Sequence, residues 1–189
     1  MKKFELTSEF ITNIFGTKLF RIKALIEFGN VKAGELGGFV EKEENLSQDG
    51  NAWVYGNACV YGNACVYDNA RVCDNARVCD NACVYGNAWV YGNARVHGDA
   101  CVCGDARVCG DACVYGDAGY ATVHGFGSEY RTTTFFKTKA GDIGVKCGCF
   151  YGNLSEFRKK VVETHGETKK AKEYLMLADL MEFRFSDNS

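Results

Sequence analysis

Apolar and polar positions alternate through the middle of the chain with a period of six. From Asn51 to Ala118 the unit reads Asn/Asp-Ala-x-Val-x-Gly/Asp, with Val at 54, 60, 66, 72, 78, 84, 90, 96, 102, 108 and 114 and Ala two residues before each. In extended backbone the side chains alternate between two faces, so Ala and Val look one way and the residues flanking Val look the other. The Val column is therefore inward and the variable columns outward. Gly, Asn and Asp stand where the chain must turn, because they tolerate the positive φ of a tight corner. A six-residue side is the unit of a triangular coil, and three sides make 18 residues. Asn51 to Thr122 then forms four coils stacked about 4.8 Å apart, a rod of roughly 20 Å.

The flanks follow other patterns. Residues 4 to 28 are apolar at short intervals (Phe10, Ile11, Ile14, Phe15, Leu19, Phe20, Ile22, Leu25, Ile26), and Val40 and Leu46 keep the spacing of six before a two-residue slip to Val54. This segment is expected to cap the first coil. Beyond the repeat, Arg131 to Thr138 and Gly144 to Phe150 read as a hairpin around Lys139-Ala140-Gly141-Asp142. Asn153 with Glu156 makes a capping-box start for a helix with Leu154, Phe157 and Val161 on its apolar face, ending at His165-Gly166. Thr168 opens a second helix, whose Ala171, Tyr174, Leu175, Ala178 and Met181 recur at helical spacing. The expected organisation is a cap over 1–50, the repeat over 51–122 and an α+β module over 123–189.

A Val column with a small residue four later, as in Val54 and Ala58, held over twelve hexads, resembles the hexapeptide-repeat left-handed β-helix family. The resemblance implies a mainly β fold: a left-handed parallel β-helix of about four 18-residue coils. Left-handed coiling departs from the usual crossover rule, and the resemblance carries that departure. The entry segment from Phe28 to Val40 and from Leu46 to Ala52 resembles uncharacterised bacterial and phage hexapeptide proteins named as transferases or polymer-forming proteins. The stretches Thr132 to Lys137 and Cys147 to Phe150 resemble the tail of phage-encoded members. These names follow the fold, which hosts acyltransferases, inactive scaffolds and ice binders alike.

Composition narrows the function classes. A net charge of −2 gives no case for duplex DNA. The start Met1-Lys2-Lys3-Phe4-Glu5 lacks the apolar stretch of a secretion signal, and no apolar run reaches the roughly 18 residues of a membrane span, so a cytoplasmic protein away from membranes is expected. Of eleven cysteines, nine occupy repeat positions where Tyr, Trp or Arg also occur. Drift within the repeat accounts for them better than a disulfide framework.

Folding the sequence at 18 sorts the outward residues into three faces. The first stacks Trp53, Arg71, Trp89 and Arg107, beside Tyr55, Cys73, Tyr91 and Cys109; cation–π contacts between rungs are worth about 0.5–1 kcal/mol each. Exposed Trp, Tyr and Arg are also the usual anchors of interfaces, so Trp53, Tyr55, Arg71, Trp89, Tyr91 and Arg107 form a candidate interaction surface. The second face stacks Cys59, Arg77, Arg95 and Cys113, beside Tyr61, Cys79, His97 and Tyr115. Arg77 and Arg95 are like charges on adjacent rungs, a cost that a shared anion relieves. With His97 adding charge and Tyr61 or Tyr115 bordering a ring, this face is a candidate nucleotide or phosphate site. The third face stacks Cys65, Cys83 and Cys101 beside Tyr67, Tyr85 and Cys103. A flat row of parallel thiols is a poor source of tetrahedral geometry and no C-x-x-C is present, so no metal is expected. Regular Thr ranks for ice binding are absent.

The family resemblance also implies an enzyme alternative, since its acyltransferases use a His near a subunit boundary as general base, usually in a trimer with a projecting loop. His97 and His124 are the candidates. The 51–118 run has no insertion to build a pocket around His97; His124 stands where the register fails, in Val123-His124-Gly125-Phe126-Gly127-Ser128. Cys147 and Cys149 have no neighbour in sequence that would make either a nucleophile. Arg131, Lys137, Lys139 and Lys146 make the hairpin basic and suited to an anionic ligand or acidic partner. The expectation is a non-catalytic scaffold without cofactor, homo-oligomeric because an open last coil and aromatic faces favour self-association. It would engage a host protein or a nucleotide-like small molecule. An acyltransferase and a purely structural self-assembling protein are the alternatives.

Overall fold

A computed structural model describes residues 2–116, 119–126 and 131–186. The chain opens with β1 (Phe4–Thr12), β2 (Lys18–Ala24) and β3 (Leu36–Val40), then runs through eleven short strands: β4 (Trp53–Val54), β5 (Cys59–Val60), β6 (Cys65–Val66), β7 (Arg71–Val72), β8 (Arg77–Val78), β9 (Cys83–Val84), β10 (Trp89–Val90), β11 (Arg95–His97), β12 (Cys101–Val102), β13 (Arg107–Val108) and β14 (Cys113–Tyr115). β4, β7, β10 and β13 form one parallel sheet; β6, β9 and β12 form another; β5, β8, β11 and β14 continue the sheet begun by β1, β2 and β3. The result is a parallel β-solenoid of about four turns. From β4 to β14 each register pair is 18 residues apart, as in Val54 with Val72 and Val60 with Val78.

The inward columns are dry: every Val from 54 to 114 and every Ala from 52 to 112 is exposed by 1% or less. Because these residues are small, three sheets can close on one another with no larger filler between them. The corners are held by polar ladders. Asn51 donates to Asn69, Asn69 to Asn87 and Asn87 to Asp105, at 2.9, 3.2 and 3.1 Å; Asn63 to Asn81 to Asp99, and Asn75 to Asn93 to Asp111, repeat the arrangement. An interior rung must both donate and accept, which an amide can do. The last rung only accepts, which suits a carboxylate. At the turns Asp68, Asp74 and Asp80 adopt φ of 59°, 61° and 62°, where Gly stands in other repeats.

The parallel stack begins before Asn51. β3 pairs in parallel with β5, and Leu46 bridges Val66, so residues 36–46 contribute two sides of an earlier coil. The two-residue slip lies between them and β4. Over this end fold Phe4 and Phe28, edge-on to Trp53 at 6.1 and 5.3 Å. Lys3 is buried with them, its Nζ donating to the carbonyls of Ala52 and Asp49 at 3.1 and 3.2 Å. Burial holds this amine down at about 8, with Asp49 acting the other way.

At the other end the fourth coil is shorter than the spacing predicts. It stops at β14, and the residues expected to finish it enter β15 (Tyr120–Phe126) of an antiparallel sheet. The cause is local: Tyr120 takes the place of the next Val and is too large for it. It lies half-buried against the core with its hydroxyl 3.2 Å from the Cys103 amide. β15 pairs with β16 (Arg131–Lys137), β16 with β17 (Ile143–Cys147) and β17 with β18 (Phe150–Asn153); α1 (Leu154–His165) and α2 (Lys169–Phe185) cover the sheet. The predicted hairpin is β16–β17, and both helix starts are capped as read, with Asn153 accepting from Glu156 N at 2.8 Å and Thr168 from Ala171 N at 3.3 Å. Adjacent residues of β16 face opposite ways. Phe136 fills the end of the solenoid core and Phe135 the core under the helices.

Candidate anion-binding cleft

The in-register pairing of β8 with β11 places Arg77 and Arg95 on adjacent rungs of the second face, as the 18-residue fold requires. A cationic side chain reaches them from outside the repeat. Ala112 bridges Thr138 and the Lys139 amide donates to the Asp111 carbonyl at 3.2 Å, which anchors the β16–β17 turn to the last coil. Arg77, Arg95 and Lys139 thereby line a cleft of about 260 Å³ together with Asn75, Asn93, Asp111 and Ala112. The asparagines are the corner ladder seen from its side. Asp111 ends that ladder, its carboxylate accepting from Asn93 at 3.4 Å. Three cations thus face a single carboxylate, and two guanidinium forks with an amine supply donors matched to phosphate or carboxylate oxygens.

The other residues expected on this face lie elsewhere. Tyr61 packs under the N-terminal hairpin against Leu19, Phe39 and Cys59, and burial together with the Cys79 side chain raises its phenol to about 12. His97 and Tyr115 lie beyond the cleft, their rings 5.0 Å apart, with His97 Nε2 3.3 Å from Cys113 Sγ. The five residues read as one site therefore spread over three places, with Arg77 shared between the cleft and a hollow of about 140 Å³ that it lines with Tyr61, Leu19 and Cys59. Only the arginine pair lines the cleft.

On the first face Trp89 is held between two guanidinium groups, Arg71 at 5.1 Å and Arg107 at 5.4 Å. Tyr91 stands edge-on to it at 6.3 Å. Trp53 does not belong to an interaction surface as expected. It is fully buried beneath Phe4 and Phe28, because the N-terminal segment lies over the first rung of this face. Tyr55 and Tyr91 are partly covered and pack against the core. Arg107 lines a second opening, of about 370 Å³, with Thr132, Lys146 and Gly148.

The basic hairpin is thus distributed. Lys139 joins the arginine pair, Lys146 joins Arg107, and Lys137 sits half-buried on β16. The side chain of Arg131 lies outside the described residues, as do Gly127 and Ser128 of the glycine-rich segment. His124 is hydrogen-bonded to Thr132 at 3.1 Å on the exposed side of the sheet. Cys65, Cys83 and Cys101 stack in register on the third face. Cys147 is held by Thr133 at 3.1 Å. No helix among the described residues is long and apolar enough to cross a membrane.

Sequence reasoning did not find Asn75, Asn93 and Asp111 as cleft residues. The signal was present in the corner column, which changes from Asn to Asp at 99, 105 and 111. It marks where the ladder of amides ends.

A family model described as the YdcK beta solenoid repeat matches residues 70–86 and, overlapping them, 76–91. The matched stretch covers β7 to β10, in the middle of the stack. No curated protein matches the chain.

Proposed function

We propose that this protein is a non-catalytic binding scaffold that holds a small anionic, nucleotide-like ligand in the cleft of Arg77, Arg95 and Lys139. The convergence of these cations, two from adjacent rungs and one carried in by the C-terminal hairpin, carries the reading. Stacking two guanidinium groups on neighbouring strands costs free energy that a bound anion offsets. The rigid stack keeps the spacing of the two strands that carry them, so little backbone order has to be created on binding. The unbroken hexads and the likeness of the entry and tail segments support a finer assignment: a left-handed solenoid of the hexapeptide-repeat class, phage or prophage encoded and acting in the cytoplasm as a homo-oligomer. The Trp89 face favours a second reading, a host protein docked on Arg71, Trp89 and Arg107, since an aromatic ring flanked by arginines is a common interface anchor.

Titration calorimetry with mono-, di- and cyclic nucleotides and inorganic phosphate tests the first reading. Wild type should bind a phosphate-bearing member of the series, and Arg77→Ala/Arg95→Ala and Lys139→Ala should each weaken it by about tenfold or more. Absence of binding, or equal binding by the variants, would overturn it.

A further inference from the structure

The cysteines of the repeat do not share one environment. Burial pushes the thiols of Cys59, Cys73, Cys79, Cys83 and Cys109 up, which leaves little thiolate on any of them at neutral pH. Cys113 has a different neighbour. It is partly exposed on β14, the end strand of its sheet, and its Sγ lies 3.3 Å from Nε2 of His97, the one histidine of the repeat.

Register brings the two together. β11 pairs with β14 so that Arg95 stands opposite Cys113 and His97 opposite Tyr115. Residues two apart on a strand share a face, so the four side chains form one patch with Cys113 diagonal to His97. The Tyr115 ring packs against the imidazole, centroids 5.0 Å apart, and lies over Gly98, where a Cβ would meet it at 2.8 Å. That packing restricts the turning of the His97 ring. A thiol with an imidazole at hydrogen-bond distance is a nucleophile with its base, and the guanidinium on the next strand offers donors to an anionic reactant.

We propose that Cys113 is a modification site that undergoes thiol–disulfide exchange with the disulfide of a small thiol bearing carboxylate groups. His97 Nε2 accepts the proton of Cys113 Sγ as the sulfur attacks. A bond forms between Cys113 Sγ and one sulfur of the small disulfide, the S–S bond of that molecule breaks, and the departing thiolate takes the proton back from His97. Cys113 is oxidised and the departing half is reduced to its thiol, so no other oxidant is needed. Arg95 holds a carboxylate of the incoming molecule. The reaction runs once per chain, because the chain keeps the other half, and it sets new carboxylates at the edge of the cleft that Arg95, Asp111 and Ala112 line. The proposal shares Arg95 with that cleft, but its chemistry needs only Cys113 and His97.

The test treats the reduced full chain with glutathione disulfide and assigns each modified cysteine at early times by peptide fragmentation in mass spectrometry, with circular dichroism to confirm that every variant folds. Cys113 should be labelled ahead of Cys149, although Cys149 is the more exposed sulfur. His97→Phe keeps a ring against Tyr115 and removes the base; it should slow labelling of Cys113 by about tenfold or more and leave Cys149 unchanged. Arg95→Ala should slow labelling of Cys113 about fivefold with glutathione disulfide and leave it unchanged with the uncharged hydroxyethyl disulfide. The uncharged reagent reports on Cys113 and His97 whether or not a nucleotide binds in the cleft, so this proposal and the cleft reading fail separately. Labelling of Cys113 no faster than that of Cys149, or at equal rates in wild type and His97→Phe, would overturn the site. An Arg95→Ala effect of the same size with both disulfides would overturn the preference for carboxylates.

Discussion

The two ends of the solenoid are closed by different devices. At the N-terminal end the chain continues the parallel register through β3 and Leu46 and then lays Lys3, Phe4 and Phe28 over the first rung. At the C-terminal end an antiparallel sheet crosses the stack, inserts Phe136 into its core and ties itself to the last coil through Thr134, Thr138 and Lys139. Continuation adds more of the same surface and covers outward residues with apolar ones. Crossing brings in residues of a different composition, and so it is at this end that cations from outside the repeat meet the arginines within it. A solenoid's middle is nearly uniform, whereas its ends are where a second chemistry can be added.

The largest expected effects lie at those two closures. Trp53→Ala and Phe136→Ala each remove a fully buried aromatic ring, and each should cost about 3–5 kcal/mol in urea unfolding. Trp89→Ala, at the equivalent repeat position in the exposed middle, loses chiefly two cation–π contacts and should cost only about 1–2 kcal/mol. If Trp53→Ala costs no more than Trp89→Ala, the N-terminal segment does not close that end of the core.

Alkaline pH should separate the ends from the repeat more gently. Burial raises the Cys73 thiol to about 11 and, with Cys79, the Tyr61 phenol to about 12. Above roughly pH 8.5 the unfolded chain releases these protons first, so the native state binds more of them and stability falls as pH rises toward 11. Lys3 acts in the opposite sense. Burial lowers its amine to about 8, the unfolded chain binds more protons between there and roughly pH 10.4, and its contribution rises with pH. Buried thiols and phenols outnumber the single lysine, so melting temperatures recorded from pH 8 upward should decline. In Lys3→Met the opposing contribution is gone and the decline should be steeper; an equal slope would remove Lys3 from the account.

The smallest effect is expected in the middle of the stack. Asp74 holds φ of 61° and accepts from the Gly92 amide at 2.9 Å. Asp74→Gly relieves the left-handed backbone and loses that bond, and the two should nearly cancel, leaving a change within about 0.5 kcal/mol by chemical denaturation. A loss of several times that size would show the repeat to be less tolerant than its ends.

Legibility in the sequence follows the same division. The Val and Ala columns, the 18-residue register and the arginine pair on adjacent rungs were all readable, because each follows from counting along a chain whose geometry repeats. Two helices with their caps were readable as well, since Asn153 with Glu156 and Thr168 act on neighbours only a few residues away. The end of the fourth coil was not. Tyr120 had to be recognised as too large for a Val position, and the strand that replaces that side is set by pairing with β16.

The sequence by itself determined what faces inward, what faces outward and which outward residues share a rung, since a period of six in a three-sided coil leaves these no freedom. Only the tertiary structure decided which outward residues stay exposed and which meet a residue from elsewhere. Trp53 and Trp89 occupy the same repeat position, yet one is buried by Phe4 and Phe28 and the other stands between arginines. Lys139 reaches Arg77 and Arg95 together, while Tyr61, on their own face, meets Arg77 alone, in a separate hollow under the N-terminal hairpin. The segments responsible have no periodicity to relate them to the repeat; their positions are set by the burial of Phe4, Phe28 and Phe136 against the open ends of the core.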